Sequence, residues 1–371
     1  MTSHRTATEA QPIPSIHFNL DELGARISQW YDSHQRELPW RRKWRETQDP
    51  YVVWVSEIML QQTVIKAVIP AYARFLETFP NVQSLAAASE EEVRLASRGL
   101  GYYRRFNFLH RAAQVLTQAS NIIDWPTSYK DWLKLPGVGQ YTAAAIASIC
   151  FEEPVAVVDG NVERVFCRLF DIQEEPNQPR LKKAFFEIGN KAIAKQPPGS
   201  FNQGIMELGQ THCSKGQTEC QHCPLSSLCL ANKRGTQKLA PKLKKRQAPI
   251  EVSMEVIIPI NKENKIGLEE RPKNAKFLGG TWGFPTKLVN VDGEKSWDGT
   301  RPSSFESHQN ERIGAIKHSI TKHKIQSDVY VSKRYRNKTI KWFDQGSVEE
   351  NLVSNLDRKA LRKYQNSAIL N

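Results

Sequence analysis

Four cysteines fall within seventeen residues of this 371-residue chain, spaced Cys213-x6-Cys220-x2-Cys223-x5-Cys229. Thiolates this close in sequence can converge on a single ion or cluster, so a metal site is the expectation for this stretch. A disulfide framework is not expected, because Met1 to Ser15 are polar and carry no apolar secretory core. The spacing suits an iron–sulfur cluster. Zinc also accepts four cysteines, but zinc ribbons pair two Cys-x2-Cys knuckles and only Cys220 and Cys223 form one here. Both metals stay open on spacing alone.

The rest of the composition bounds the partner. Net charge is +13, with 39% apolar and 25% charged residues. That balance fits a globular protein with a real core, and the positive excess favours a polyanion such as nucleic acid. No run of eighteen apolar residues occurs, so no membrane-spanning helix is expected. A cytoplasmic location is the default expectation, on the nucleoid if the polyanion is DNA.

Residues 1–17 read as a flexible N-terminal arm. From Phe18 to about Leu230 the apolar residues recur at helical spacing, as in Trp54-Ile58-Ile65, Phe106-Leu109-Ala113-Leu116 and Val162-Val165-Leu169. Pro70, Pro80, Pro126 and Pro154 are expected to start or stop helices. A mostly α domain over 18–235 follows. Residues 236–247 are basic and aperiodic, with Lys238, Lys242, Lys244, Lys245 and Arg246, and read as an interdomain linker. Beyond it the period changes to two. Val252, Met254, Val256, Ile258 and Ile260 predict a strand, Asn261 to Asn264 a turn, and Ile266 and Leu268 a return strand. Further strands are expected near Asp328-Val331 and Thr339-Phe343, which makes 248–371 an α+β domain.

Three short segments carry chemistry. Leu135-Pro136-Gly137-Val138-Gly139 lies between helical stretches, and its glycines permit a tight turn that leaves backbone N–H groups free at a helix start, where a phosphate oxygen binds. An ordinary turn between helices is the plainer reading. Glu57 sits in Val53-Trp54-Val55-Ser56-Glu57-Ile58-Met59, where bulky neighbours would desolvate it and raise its pKa, as a general acid requires. A Glu on a helix is otherwise a solvated surface group. Asp159, in Val157-Val158-Asp159-Gly160-Asn161, has the place of a helix N-cap. Capping would hold its carboxylate ionised. Glycosidic cleavage needs such a pair, one group to protonate the leaving base and one to stabilise the cationic sugar.

Together these segments resemble the MutY-type adenine DNA glycosylases of the helix-hairpin-helix, endonuclease III superfamily, from about Leu20 to Leu230. Leu38-Pro39-Trp40-Arg41, Ser56 to Thr63, Gly99-Leu100-Gly101-Tyr102-Tyr103 and Phe201-Asn202-Gln203 carry the resemblance. It implies a [4Fe–4S] cluster on the four cysteines, which braces a loop against DNA. Glu57 and Asp159 become the catalytic pair, and Gly137 and Gly139 the DNA-backbone hairpin. Trp40, Arg41 and Gln203 would line an adenine pocket with Glu57, and Gln62 and Tyr102 would wedge into the base stack. Asn161 would bond near the sugar. Bifunctional relatives carry a Schiff-base lysine where this chain has Tyr141, so base release without strand cleavage is implied.

Leu278-Gly279-Gly280-Thr281-Trp282-Gly283-Phe284-Pro285 resembles the MutT-like domain that reads 8-oxoguanine, without the acidic cluster of nucleotide hydrolases. In the family a Phe-Ser-His loop probes the oxidised base, whereas this chain has Ile320-Thr321-Lys322. Thr321 keeps a hydroxyl, Ile320 replaces the aromatic ring, and Lys322 adds a charge. Arg42-Lys43-Trp44-Arg45 forms an additional basic patch that either meets phosphate or is solvated. The implied activity is excision of adenine opposite 8-oxoguanine or guanine in double-stranded DNA, by a monomer with no membrane association. An endonuclease III-like lyase for oxidised pyrimidines and a non-enzymatic redox-sensing DNA binder are the alternatives.

Overall fold

The computed structural model describes residues 18–118, 123–242, 248–275, 277–291 and 310–368. The expected N-terminal arm and the linker positions Lys244, Lys245 and Arg246 lie outside the described residues. Contacts divide the chain into two compact units. One joins Met1–Gln61 to Arg111–Lys245, and the other joins Gln62–His110 to Arg246–Asn371. Residues 62–110 are helical, as their periodicity predicts, yet group with the C-terminal part.

The first unit is helical. It contains α1 (Leu20–His34), α2 (Pro39–Thr47) and α3 (Pro50–Leu60), and resumes with α8 (Tyr129–Trp132), α9 (Gln140–Phe151), α10 (Gly160–Leu169), α11 (Pro179–Ile193), α12 (Pro198–Gln210) and α13 (Leu230–Arg234). A 3-10 turn at Cys220–His222 sits in the cysteine loop. Every residue of α3 from Pro50 to Met59 is buried, so this helix has no solvent face and must be surrounded by other elements. It packs on α9 and α2, while α12 packs on α1, α9 and α10. Two glycines make the α12 contacts possible. A Cβ at Gly204 would stand 2.9 Å from Ile27 and Tyr31, and one at Gly209 would stand 2.8 Å from Asn161. The second approach holds the end of α12 against the start of α10.

The second unit opens with α4 (Ile65–Thr78), α5 (Val82–Ala87), α6 (Glu90–Ala96) and the first half of α7 (Arg104–Thr117). Pro70 departs from expectation, because it lies inside α4 rather than at an end. The buried face made by Val68, Ala71, Tyr72 and Phe75 holds the helix together across it. The C-terminal residues add β1 (Ile250–Pro259), β2 (Ile266–Glu270), β3 (Trp282–Gly283), β4 (Thr286–Val291), β5 (Glu311–Ile320), β6 (His323–Ser332), β7 (Lys341–Phe343) and α14 (Asn355–Ala368).

Among the described residues two sheets form, ordered β4-β1-β6-β5 and β3-β2-β7. The alternating residues of β1 form the predicted strand, and β1 runs parallel to β6 and antiparallel to β4. The return strand exists but pairs elsewhere. β2 is bridged to Ile260, just beyond β1, through Ile266 and takes β7 and β3 as its strand partners. Both faces of β1 near its end are buried, and Val256, Ile258 and Ile260 share one core with Ile266, Leu268, Val348, Leu352 and Leu361.

Candidate active site and cysteine cavity

Glu57 is 6% exposed in the middle of α3. Burial lifts its pKa from 4.5 to about 7, and the nearby charge of Asp159 pushes the same way. A hydrogen bond from Tyr141 and the charge of Arg41 oppose the rise. The Tyr141 hydroxyl donates to Oε2 of Glu57 at 2.8 Å and lies 3.1 Å from Sδ of Met206. Burial, then Glu57 and Asp159, hold the Tyr141 phenol well above its ordinary range, so it stays a proton donor. The sequence reading places Tyr141 among the DNA- and base-binding residues and notes that it is not a lysine. The structure gives it a positive role, orienting the acid.

Asp159 is the N-cap of α10, as its place before the helix predicts. Its Oδ1 accepts from the backbone N–H of Asn161 at 2.9 Å and of Val162 at 2.8 Å, and its Oδ2 accepts from Nδ2 of Asn161 at 2.7 Å. The cap does not set the sign of its pKa. Burial raises it, and this outweighs the lowering by those bonds and by Arg164. Both carboxyls therefore favour their protonated forms more than free carboxyls do, and the charge of Asp159 adds to the rise at Glu57.

Arg41 and Gln203 are brought together, with Nε of Arg41 donating to Oε1 of Gln203 at 3.1 Å. Glu207, one turn further along α12 and only 2% exposed, holds Nη1 of Arg41 at 2.6 Å and Nε of Arg36 at 3.0 Å. Trp40 is 6% exposed in α2. Arg36, Met206 and Glu207 escaped the sequence reading. The i, i+3 and i, i+4 spacing of Gln203, Met206 and Glu207 on one helix was the available signal. In the additional basic patch, Arg45 lies 2.8 Å from Glu37 and Arg42 lies 3.8 Å from Glu46, so acidic neighbours offset both cations.

At the hairpin, Gly137 has φ +75° and Gly139 caps α9 without any side-chain acceptor. A Cβ at Gly139 would meet only open space, which leaves the helix N-terminus accessible to an anion. Gln62 and Tyr102 belong to the second unit. Both are exposed and both have positive φ, +56° and +48°, conformations that cost energy for residues with a Cβ. Ile320 ends β5 and pairs with His323, so Thr321 and Lys322 form a two-residue hairpin turn. Thr321, at φ +53°, donates its hydroxyl to Ile320 O at 2.7 Å.

Cys213, Cys220, Cys223 and Cys229 line one cavity together with Arg168 and Gln237. None is in a disulfide. Among the described residues, no three His, Cys, Asp or Glu side chains are set to hold a metal ion. Burial, and then repulsion from the neighbouring thiols, pushes Cys223 up to about 12 and raises Cys229. A positively charged guest would reverse this by stabilising the thiolates. N–H donors already reach the sulfurs: Nη1 of Arg168 lies 3.2 Å from Sγ of Cys213 and Nε2 of Gln237 lies 3.8 Å from Sγ of Cys220. The donor chemistry of the cavity, four thiols with N–H groups at two of the sulfurs, suits a thiolate-bound cluster rather than a single ion.

Helix α10 connects this cavity to Asp159. Arg164 donates to Asn161 Oδ1 at 3.0 Å and to Cys213 O at 2.9 Å, and Arg168, one turn on, donates to Cys213 O and Ser214 O.

Residues 55–191 match the family described as HhH-GPD superfamily base excision DNA repair protein. The chain is 42% identical over 209 residues to the adenine DNA glycosylase of Rattus norvegicus, a match covering 55% of this chain and 40% of the rat protein. With that of Homo sapiens it is 41% identical over 213 residues, 56% of this chain and 39% of the human one. The chain thus spans about two fifths of these mammalian relatives. Among solved structures, a thermostable thymine-DNA glycosylase is similar with a TM-score of 0.51 at 26% identity, over 58% of this chain and 97% of that one. The adenine DNA glycosylase of Buchnera aphidicola subsp. Schizaphis graminum is 30% identical over 270 residues, covering 72% of this chain and 76% of that protein. The chain belongs to the adenine DNA glycosylase family.

Proposed function

We propose that the protein is a monofunctional adenine DNA glycosylase that flips adenine out of a duplex opposite 8-oxoguanine or guanine and hydrolyses its N-glycosidic bond. The observation that carries this reading is the Tyr141–Glu57 hydrogen bond with Asp159 close enough to perturb both. Glu57, with a pKa of about 7, exists partly as the acid at neutral pH and is matched to protonating N7 of the base. Departure of neutral adenine leaves an oxocarbenium sugar. Asp159 stabilises that cation until water adds, and Asn161 orients its second oxygen. Tyr141 has no amine, so no Schiff base forms and the abasic strand stays intact.

The remaining residues take supporting parts. Arg41, fixed by Glu207, and Gln203, held by Arg41, face the adenine beside Trp40 and Glu57. Gln62 and Tyr102 fill the gap left by the flipped base. The α9 N-terminus at Gly137 and Gly139 takes a backbone phosphate, and the Ile320-Thr321-Lys322 turn reads the oxidised guanine as the MutT-like part of the chain. Cys213, Cys220, Cys223 and Cys229 would hold a [4Fe–4S] cluster. When bound, that group supplies positive charge that keeps the four thiolates ionised and closes the loop. No described helix is long and apolar enough to cross a membrane. A monomer acting on the nucleoid in the cytoplasm completes the reading.

Single-turnover excision on duplexes holding adenine opposite 8-oxoguanine, guanine or thymine tests it. Release is expected opposite the first two, fastest opposite 8-oxoguanine, with no borohydride-trapped adduct. Absence of adenine release, or efficient trapping, overturns the reading.

A further inference from the structure

Three residues of the loop before α7 have left-handed backbone. Gly99, Gly101 and Tyr102 have φ of +90°, +68° and +48°, and a Cβ at either glycine would meet nothing within 4 Å. Ser97 and Leu100 are buried and anchor the first part of the loop, whereas Tyr102 at its end is exposed. The residue after Tyr102 supplies a further tie. The Tyr103 hydroxyl accepts from Gly99 N at 3.1 Å and donates to Val353 O at 3.1 Å.

Val353 is 3% exposed and directly precedes Ser354, whose Oγ accepts from Leu356 N and Asp357 N at the start of α14. Helix α14 lies along β5, and Nζ of Lys359 donates to Lys317 O on that strand at 2.7 Å. Strand β5 ends at Ile320, where the Thr321-Lys322 turn begins. On the other side of the loop, Arg105 is 7% exposed. Its Nη2 lies 2.8 Å from Thr63 Oγ1 and 3.4 Å from Leu100 O. Thr63 directly follows Gln62. Arg94 and Arg98 add contacts to Gly280 O and Glu350 O. All of these groups lie within the second unit.

We infer that Tyr103 is a positioning residue that ties the stacking wedge to the lesion-reading hairpin: its hydroxyl fixes the Tyr102 loop to the rigid start of α14, and Arg105 extends the same constraint to Gln62 through Thr63. Contacts made at Thr321 and Lys322 are thereby transmitted along β5 and α14 into the set of both wedge side chains. This inference rests on the wedge role proposed above for Gln62 and Tyr102. It gives the strained, exposed wedge residues a reason to be held by a buried arginine and a bridging phenol rather than by their own packing.

Full-length Tyr103→Phe keeps the ring and removes the bridge. Two readouts are needed: the ratio of single-turnover excision rates opposite 8-oxoguanine and opposite guanine, and the fluorescence of 2-aminopurine placed beside the lesion, which reports unstacking. Tyr103→Phe is expected to lower the ratio by about tenfold, the kinetic worth of one hydrogen bond, and to reduce the fluorescence rise. Excision opposite guanine should change little. Thr63→Val should reproduce part of the effect and Thr63→Ser should restore it. An unchanged ratio, or an equal loss opposite both partners, overturns the inference and leaves a merely structural tyrosine. Tyr102→Ala separates the two levels. Loss of its fluorescence signal beside an unaffected Tyr103→Phe sinks the coupling alone, whereas an unaffected Tyr102→Ala sinks the wedge reading and the coupling with it.

Discussion

The Tyr141 hydroxyl and Glu57 Oε2 stand 2.8 Å apart although 84 residues separate them in sequence. The bond is the main force opposing the desolvation that lifts Glu57 to about 7. Removing it should raise that pKa further. Tyr141→Phe is therefore expected to move the alkaline limb of the single-turnover pH profile to higher pH, while slowing plateau excision about tenfold by freeing the acid to reorient. A limb that moves to lower pH would contradict the assignment.

The acid itself sets a sign for both rate and stability. In the wild-type protein, excision should fall with rising pH above about 7, as Glu57 loses its proton. Because its folded pKa lies above the ordinary 4.5, its protonation favours the fold below that value, and this contribution is lost as pH rises through about 7. Glu57→Gln, permanently neutral, should lose two to four orders of magnitude in rate. At pH 8 it should unfold at higher denaturant, by up to about 3 kcal/mol. Excision and urea titrations on one preparation measure both.

Asp159 combines a cap with a charge, and the two roles separate by substitution. Asparagine still accepts the Val162 and Asn161 backbone N–H groups but loses the acceptor for Asn161 Nδ2, so Asp159→Asn should cost about 1 kcal/mol of stability. Its excision should be abolished while duplex binding persists. Asp159→Ala should lose the cap too, at about 1 kcal/mol more. Thermal unfolding and gel-shift titration distinguish the three proteins.

Arg168 is 6% exposed and donates to carbonyls of Cys213, Ser214, Gln237 and Ala240. Arg168→Ala would remove a donor from the Ser214, Gln237 and Ala240 carbonyls, leave Cys213 O to Arg164 alone, and open the cysteine cavity. A loss of about 3 kcal/mol is expected, with less iron per chain and weaker absorbance near the visible charge-transfer band. Since Arg164 joins the same Cys213 carbonyl to Asn161, excision should fall with iron content across a series of preparations.

Much of this molecule could be read from neighbouring residues alone. Helical spacing from Phe18 to Leu230 and alternation from Val252 to Ile260 marked the two regimes, because both arise from which face of a local element meets the core. Cys213 to Cys229 announced a ligand loop for the same reason, since four donors within seventeen residues need no distant partner. Asp159 before Gly160 was legible as a cap. Pro70 misled, because only packing against a core lets a helix continue through proline. β2 was visible as a strand, but its choice of β7 over β1 depends on residues about seventy positions away.

Sequence by itself thus determined the inventory: two carboxyls, a thiol quartet, a glycine turn and the periodicities that carry them. Tertiary structure alone decided what the inventory does. The pKa of Glu57 comes from α3 being enclosed on all sides, the orientation of its proton from Tyr141 on α9, the setting of Arg41 from Glu207 on α12, and the link between Asp159 and Cys213 from Arg164. Burial and hydrogen bonding act through space over a few ångströms, and the groups that supply them here are brought from far along the chain, where no local pattern records them.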